Sequence, residues 1–202
     1  PSIGTPAPVP REEVMYAIGN VLARGEASRE AGKDLLDEAL KLNGQRPETL
    51  AAIGSFMDRA KPGSGDAMFE KGVSIGTAKA IVYRQYGRAL IDRQKEIPDP
   101  ALAKRAREVF AKAVELNPKV ADAQVGLGMT YLMLPGDPKP GIAALEKGLE
   151  LDPQNTSAAM NLVALLVRSG DRDGANAVID KDIAPYADAP MLRQARELLE
   201  KK

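Results

Sequence analysis

The chain has 202 residues, 21.5 kDa, and 28 Lys and Arg set against 28 Asp and Glu, so its net charge is zero and nothing draws it to a nucleic acid or another polyanion. It has no Cys and no His, which removes thiolate and imidazole chemistry, and with it the commonest metal ligands and acid/base catalysts. An apolar fraction of 44% with only 4% aromatics and no Trp points to helices packed closely through small residues.

The start, Pro1-Ser2-Ile3-Gly4-Thr5-Pro6-Ala7-Pro8-Val9-Pro10, reads as an extended linker over 1–10, because closely spaced prolines fix φ and withhold backbone donors. A first residue that is not Met suggests a piece of a longer or processed chain, with any targeting signal upstream of Pro1. A periplasmic or secreted location is favoured over the cytoplasm on that reading. No apolar run reaches the ~18–20 residues of a membrane span, so direct membrane insertion is not expected.

From residue 12 onward the chain repeats itself. An apolar residue, a Gly and an apolar residue three further on recur as Ile18-Gly19 with Leu22, Ile53-Gly54 with Met57, Tyr86-Gly87 with Leu90, and Leu127-Gly128 with Tyr131. A fifth copy, Leu162-Val163 with Leu166, keeps the spacing without the Gly. A second mark runs in step: Gly32, Gly65, Ala106, Gly141 and Ala175, each followed four residues later by Leu36, Phe69, Phe110, Leu145 and Ile179. Two marks with one period predict helix pairs in which small residues admit a close crossing and a large residue fills the space beside it. The units fall at about 12–45, 46–79, 80–120, 121–155 and 156–188. Ile91 to Pro100, ending Glu96-Ile97-Pro98-Asp99-Pro100, reads as a turn about seven residues longer than usual, which accounts for a 41-residue interval between the third and fourth copies. Asp182 interrupts the small-residue mark of the last unit, so its second helix should end before Pro185. Leu192, Ala195, Leu198 and Leu199 then sit at helical spacing among charges, which suits a capping helix over 189–202.

Apparent sites of chemistry have plainer readings. Gly63-Ser64-Gly65 is an interhelical turn, not a phosphate loop. Asp171-Arg172-Asp173-Gly174 lacks the later ligands of a calcium loop and reads as a helix N-cap. Asp180 and Asp182 read as solvated helix-end charges. No catalytic residue, cofactor site or metal site is expected, and the chain is not read as an enzyme.

Leu127, Gly128, Tyr131, Gly141, Leu145, Gly148 and Pro153, and then Leu162, Leu166, Gly170-Asp171, Ala175 and Ile179, fall on the small and large positions of the tetratricopeptide-repeat (TPR) family, which the chain resembles over roughly residues 12 to 188. The resemblance implies an all-α fold, a right-handed TPR-like α-α superhelix of helix-turn-helix repeats closed by the C-terminal capping helix. It also implies a concave face lined by fixed positions of each first helix. Carried over by register, those positions are Tyr16, Asn20, Ser55, Arg84, Arg88, Ile91, Val125, Met129, Leu132, Met133, Met160 and Arg168, with Ala164 and Val167 beside them. Such a groove, basic in its middle and Met-rich toward the C-terminus, would hold a peptide or helix of a partner protein, with Arg84 and Arg88 placing an acidic group. Met129, Met133 and Met160 would equally suit packing between helices, and Arg84 and Arg88 a solvated face. The carboxylate clamp of one TPR subclass is not supported: Asn161 matches, but Val125, Met129, Met160 and Ala164 stand where Lys and Asn are needed. Two other roles fit the same residues: an accessory or C-terminal domain of a larger secreted peptidase-like or envelope-assembly protein, and a self-associating module that would form homo-oligomers.

Overall fold

Helix starts are written in the local chemistry. Pro47, Pro100 and Pro140 stand in the first turn of their helices, where a missing N–H costs nothing. The carboxylates of Asp99 and Asp171 and the amide of Asn155 accept from Ala101, Gly174 and Ala158 N–H, at 2.8, 2.8 and 3.0 Å, capping the Pro100 start and two more. In the computed structural model, which describes residues 9–200, these signals delimit α1 (Arg11–Leu22), α2 (Arg29–Leu42), α3 (Pro47–Ala60), α4 (Asp66–Ser74), α5 (Ala80–Glu96), α6 (Pro100–Leu116), α7 (Ala121–Met133), α8 (Lys139–Leu151), α9 (Thr156–Ser169), α10 (Arg172–Val178) and α11 (Ala189–Glu200). No strand occurs among the described residues. Residues 1–8 of the Pro-rich start and 201–202 at the end of the expected cap lie outside the described residues.

The 41-residue interval has a different cause from the long turn read in the sequence. α5 continues to Glu96 and α6 starts at Pro100, each 17 residues long, so the extra residues are helical and only three separate the two helices. Asp99 backbone N–H bonds the Gln94 side chain at 2.8 Å while its own carboxylate caps α6, and the pair of prolines then needs no longer loop.

The chain forms two compact units, Pro1–Ala89 and Leu90–Lys202. In the first, α1 packs on α2 and α3 on α4. A Cβ placed on Gly54 would lie 3.2 Å from the Gly65 carbonyl oxygen and 3.1 Å from the Phe69 ring, so the two backbones meet at this small pair. Phe69 is fully buried and stacks on Tyr86 with centroids 4.9 Å apart, and the Tyr86 hydroxyl donates to Glu70 Oε1 at 2.6 Å. Burying such a side chain is worth about 2 kcal/mol.

The second unit repeats the device. A Cβ on Gly128 would lie 2.9 Å from the Gly141 carbonyl oxygen and would run into Leu145, which is fully buried. α7 and α8 are antiparallel, since the end of α7 at Tyr131 meets Gly141 while Val125 near its start meets Gly148. The ring of Phe110 lies against Gly126, so α6 packs on α7 through a second close contact, absent from the sequence reading. The last pair departs from the pattern after Val178. Ile179–Ile183 forms a π-helical turn in which Ala184 N–H donates to Ile179 O at 2.8 Å. The wider turn keeps both Ile179 and Ile183 in the core, and the helix ends there, ahead of Pro185, with Asp182 Oδ1 3.9 Å from Lys181. α11 lays Ala195 into the core beside α9 and the π turn, with Leu192, Leu198 and Leu199 half-buried around it and Arg193, Arg196 and Glu197 outward.

Gly128→Ala should lower stability by about 1–3 kcal/mol in urea denaturation despite the better helix propensity of Ala, because Leu145 and the Gly141 carbonyl leave no room. Gly76→Ala, where no atom lies within 4 Å of the new Cβ, should stay within about 0.5 kcal/mol of the parent.

Candidate functional site

In the first unit, the positions assigned to a binding face sit on α1 (Tyr16, Asn20), α3 (Ser55) and α5 (Arg84, Arg88). Arg88 is exposed and the other four are half-buried. The Ser55 hydroxyl donates to Ala51 O at 2.9 Å, one turn back along its own helix, which spends its donor internally. Arg84 and Arg88 both take part in polar interactions.

Tyr16 stands in a charged network that the periodic marks do not reveal. The Arg46 guanidinium lies over its ring at 5.0 Å, and Arg46 also reaches Glu13 at 3.4 Å and Glu48 at 3.8 Å. Lys79 Nζ is 3.0 Å from the other Glu48 oxygen. Glu48, only 7% exposed at the start of α3, thus sits between two cations. That compensates the cost of burying its charge, and the helix N-terminus adds a favourable field. Burial, then the nearby Glu48 charge, raise the Tyr16 phenol above its ordinary pKa, outweighing the cations, which act the other way. The one local hint of this in the sequence is Arg46-Pro47-Glu48, a helix start bracketed by opposite charges.

In the second unit, Ile91 and Val125 are core residues, 1% and 8% exposed. Val125 is drawn inward because Gly148 crosses it: a Cβ there would stand 2.6 Å from Val125 Cγ2. Met129 and Leu132 on α7, and Met160 and Val167 on α9, are half-buried, each resting one side on the core formed by Leu145, Leu162 and Leu166. Met133 and Ala164 are also half-buried, and Arg168 is exposed in the last turn of α9. α7 and α9 pack directly on each other, which brings these side chains onto neighbouring first helices. The Met residues thus take part in both packing and surface, a division their sequence spacing could not make. Arg107, missed by register because it lies on a second helix, ties α6 to α7: Nη2 donates to Thr130 O at 2.9 Å and the guanidinium stacks 3.9 Å from the Tyr131 ring centroid.

Among the described residues no group of three or more carboxylates is placed to hold a metal ion, and no helix is long and apolar enough to cross a membrane. Asp171, the start of the calcium-like motif, spends its carboxylate on the α10 N-cap.

No family model matches the chain. It is 25% identical over 182 residues to cellulose synthase operon protein C of Escherichia coli strain K12, a match covering 80% of this chain and 14% of that protein. It is 33% identical over 97 residues to the peroxisomal targeting signal receptor of Komagataella phaffii, covering 48% of this chain and 16% of the receptor. The chain therefore spans about one-seventh of the length of these curated relatives. Among solved structures, YrrB, described as a TPR protein with an unusual peptide-binding site, superposes with a TM-score of 0.67 at 20% identity, over 91% of this chain and 90% of YrrB. The chain has the TPR fold: an all-α solenoid of helix-turn-helix repeats with a C-terminal capping helix.

Because the neutral phenol is favoured in the folded state, Tyr16 contributes stability that is complete below pH 10 and is lost as pH rises through its elevated pKa. Ultraviolet titration should show Tyr16 ionising above the ordinary tyrosine range, and Tyr16→Phe should remove that component while reducing the alkaline loss of stability.

Proposed function

We propose that this chain is a protein-interaction scaffold whose second unit receives a peptide or helix of a partner protein on the first-helix face of α7 and α9. The observation that carries this reading is the group of half-buried Met129, Leu132, Met133, Met160 and Val167 on two helices in direct contact. Flexible, polarizable thioethers that are backed by a rigid core and wet on their other side suit an adaptable apolar ligand surface. The peptide-binding site ascribed to YrrB and the likeness to a targeting-signal receptor support a peptide as the ligand class. In the first unit, Tyr16, Asn20, Ser55, Arg84 and Arg88 are assigned to the same role, the arginines supplying charge for acidic side chains of the partner. Ile91 and Val125 are left out of the face because they are core.

Peptides selected from a displayed random library against the parent protein should carry apolar anchors. They should bind a Met129→Glu/Met160→Glu variant at least ~10-fold more weakly, about 1.4 kcal/mol, at a temperature where circular dichroism shows the variant folded, since both side chains also rest on the core. Equal binding by parent and variant would remove α7 and α9 from the site. Arg84→Glu/Arg88→Glu should weaken acidic peptides and flatten the salt dependence of their binding; an unchanged salt slope would withdraw the arginines.

A second reading, an interaction module within a larger protein of envelope assembly, takes its support for the larger protein from the match to cellulose synthase operon protein C, of which the chain covers 14%. Co-purification of the surrounding gene product with an envelope complex, lost in the Met129→Glu/Met160→Glu variant, would support it.

A further inference from the structure

α1 is apolar on two opposite faces. Met15, Gly19 and Ala23 are buried on one. The other carries Val14, Ala17, Ile18 and Val21, all in solvent, with Val14 43%, Ile18 48% and Val21 67% exposed. At ~100° per residue these four fall within an arc of about 100°, the spacing of a helix-packing seam. α11, by contrast, turns a polar face outward, with Arg193, Arg196 and Glu197 in solvent. α1 does the reverse, and an exposed apolar stripe of this kind marks a contact surface.

The two ends of the stripe differ in charge. Glu13, 3.4 Å from Arg46 yet with its side chain 48% exposed, lies along one edge at its start, and Arg24 lies on the same edge just beyond its end. Arg24 is one of three clustered arginines. Arg59 Nη2 donates to Ala23 O at 2.8 Å, and its pKa is lowered by burial and then by the charges of Arg29 and Arg24. Positive charge therefore accumulates where α1 ends. Arg11, on the opposite edge, is held by Glu38 at 2.9 Å.

We propose that α1 is a self-association surface, on which a second copy of this chain lays its own α1 antiparallel, stripe on stripe, about a two-fold axis between Ala17 and Ile18. A two-fold axis across a helix sets each edge against the same edge running in reverse. Val14 of one copy then meets Val21 of the other, and Glu13 of each copy approaches the Arg24 cluster of the other. The charges along the stripe's edge are complementary to themselves only under that reversal, which selects a second copy as the occupant. This surface belongs to the first unit and does not rest on the peptide-binding face of α7 and α9. With α1 about 18 Å long, the interface is small and the association weak, in the micromolar range.

Sedimentation equilibrium of the whole chain over a concentration series tests this. The parent should pass from monomer to dimer, and Ile18→Glu should weaken dimerisation at least 10-fold, with melting temperature and helical content preserved because the side chain points into water. Glu13→Arg and Arg24→Glu should each weaken it, and the double swap should restore it. Ala17→Cys, the sole thiol in the protein, should be joined to its twin by a short bismaleimide linker in high yield. A parent that stays monomeric at ~100 µM would overturn the proposal. So would a dimer indifferent to Ile18→Glu, or one that appears only after residues 1–8 are removed, which would assign the stripe to the chain's own N-terminal segment.

Discussion

The approach of two antiparallel helices until a glycine on one touches the backbone of the other is the constraint on which the rest depends. At Gly54 with Gly65 and at Gly128 with Gly141, the facing carbonyl stands 3.2 Å or less from where a Cβ would be. A helix gives up about 1 kcal/mol of propensity to hold a Gly in its interior. The return is contact between backbones along the crossing, and a recess beside it that Phe69 or Leu145 fills completely. Each hairpin is thereby a rigid wedge, and the next hairpin packs on its large residue.

That rigidity decides which residues are left to meet other molecules. Both helices of a pair supply large core side chains, such as Leu165 on α9 and Leu145 on α8, while α7 and α9 hold Met129 and Met160 against that core with one side in water. The outward faces of two helices differ in kind. α11 closes the C-terminal core with Ala195 and presents charge outward, whereas α1 presents Val14, Ile18 and Val21. Charge is managed locally in each unit: Glu48 lies between Arg46 and Lys79 in the first, and Arg107 is spread over Thr130 and Tyr131 in the second. Both devices tie a second helix or an interhelical turn to a first helix, so they stiffen the hairpin joints that periodic packing leaves least constrained.

Departures from the repeat are equally physical. The long third interval is absorbed by lengthening two helices, since adding residues to a helix satisfies their hydrogen bonds while a long loop would not. The π turn at Ile179–Ile183 keeps two isoleucines in the core at the point where Asp182 breaks the small-residue mark. At Val125, a neighbouring glycine, Gly148, takes the side chain into the core although register would have placed it on a surface.

The sequence by itself determined the helical repeat, the pairing of small and large residues, the capped start at Asp171, and the closing helix. These depend on side chains a few residues apart, whose spacing is written directly in the chain. The tertiary structure alone decided which face of each helix stays wet: that Ile91 and Val125 are core, that the Met residues are half-buried, that Tyr16 lies under Arg46, and that α1 offers a second apolar face. Exposure is set by what a distant segment brings against a side chain, as Gly148 does to Val125 and Arg46 to Tyr16, and no local pattern encodes that approach.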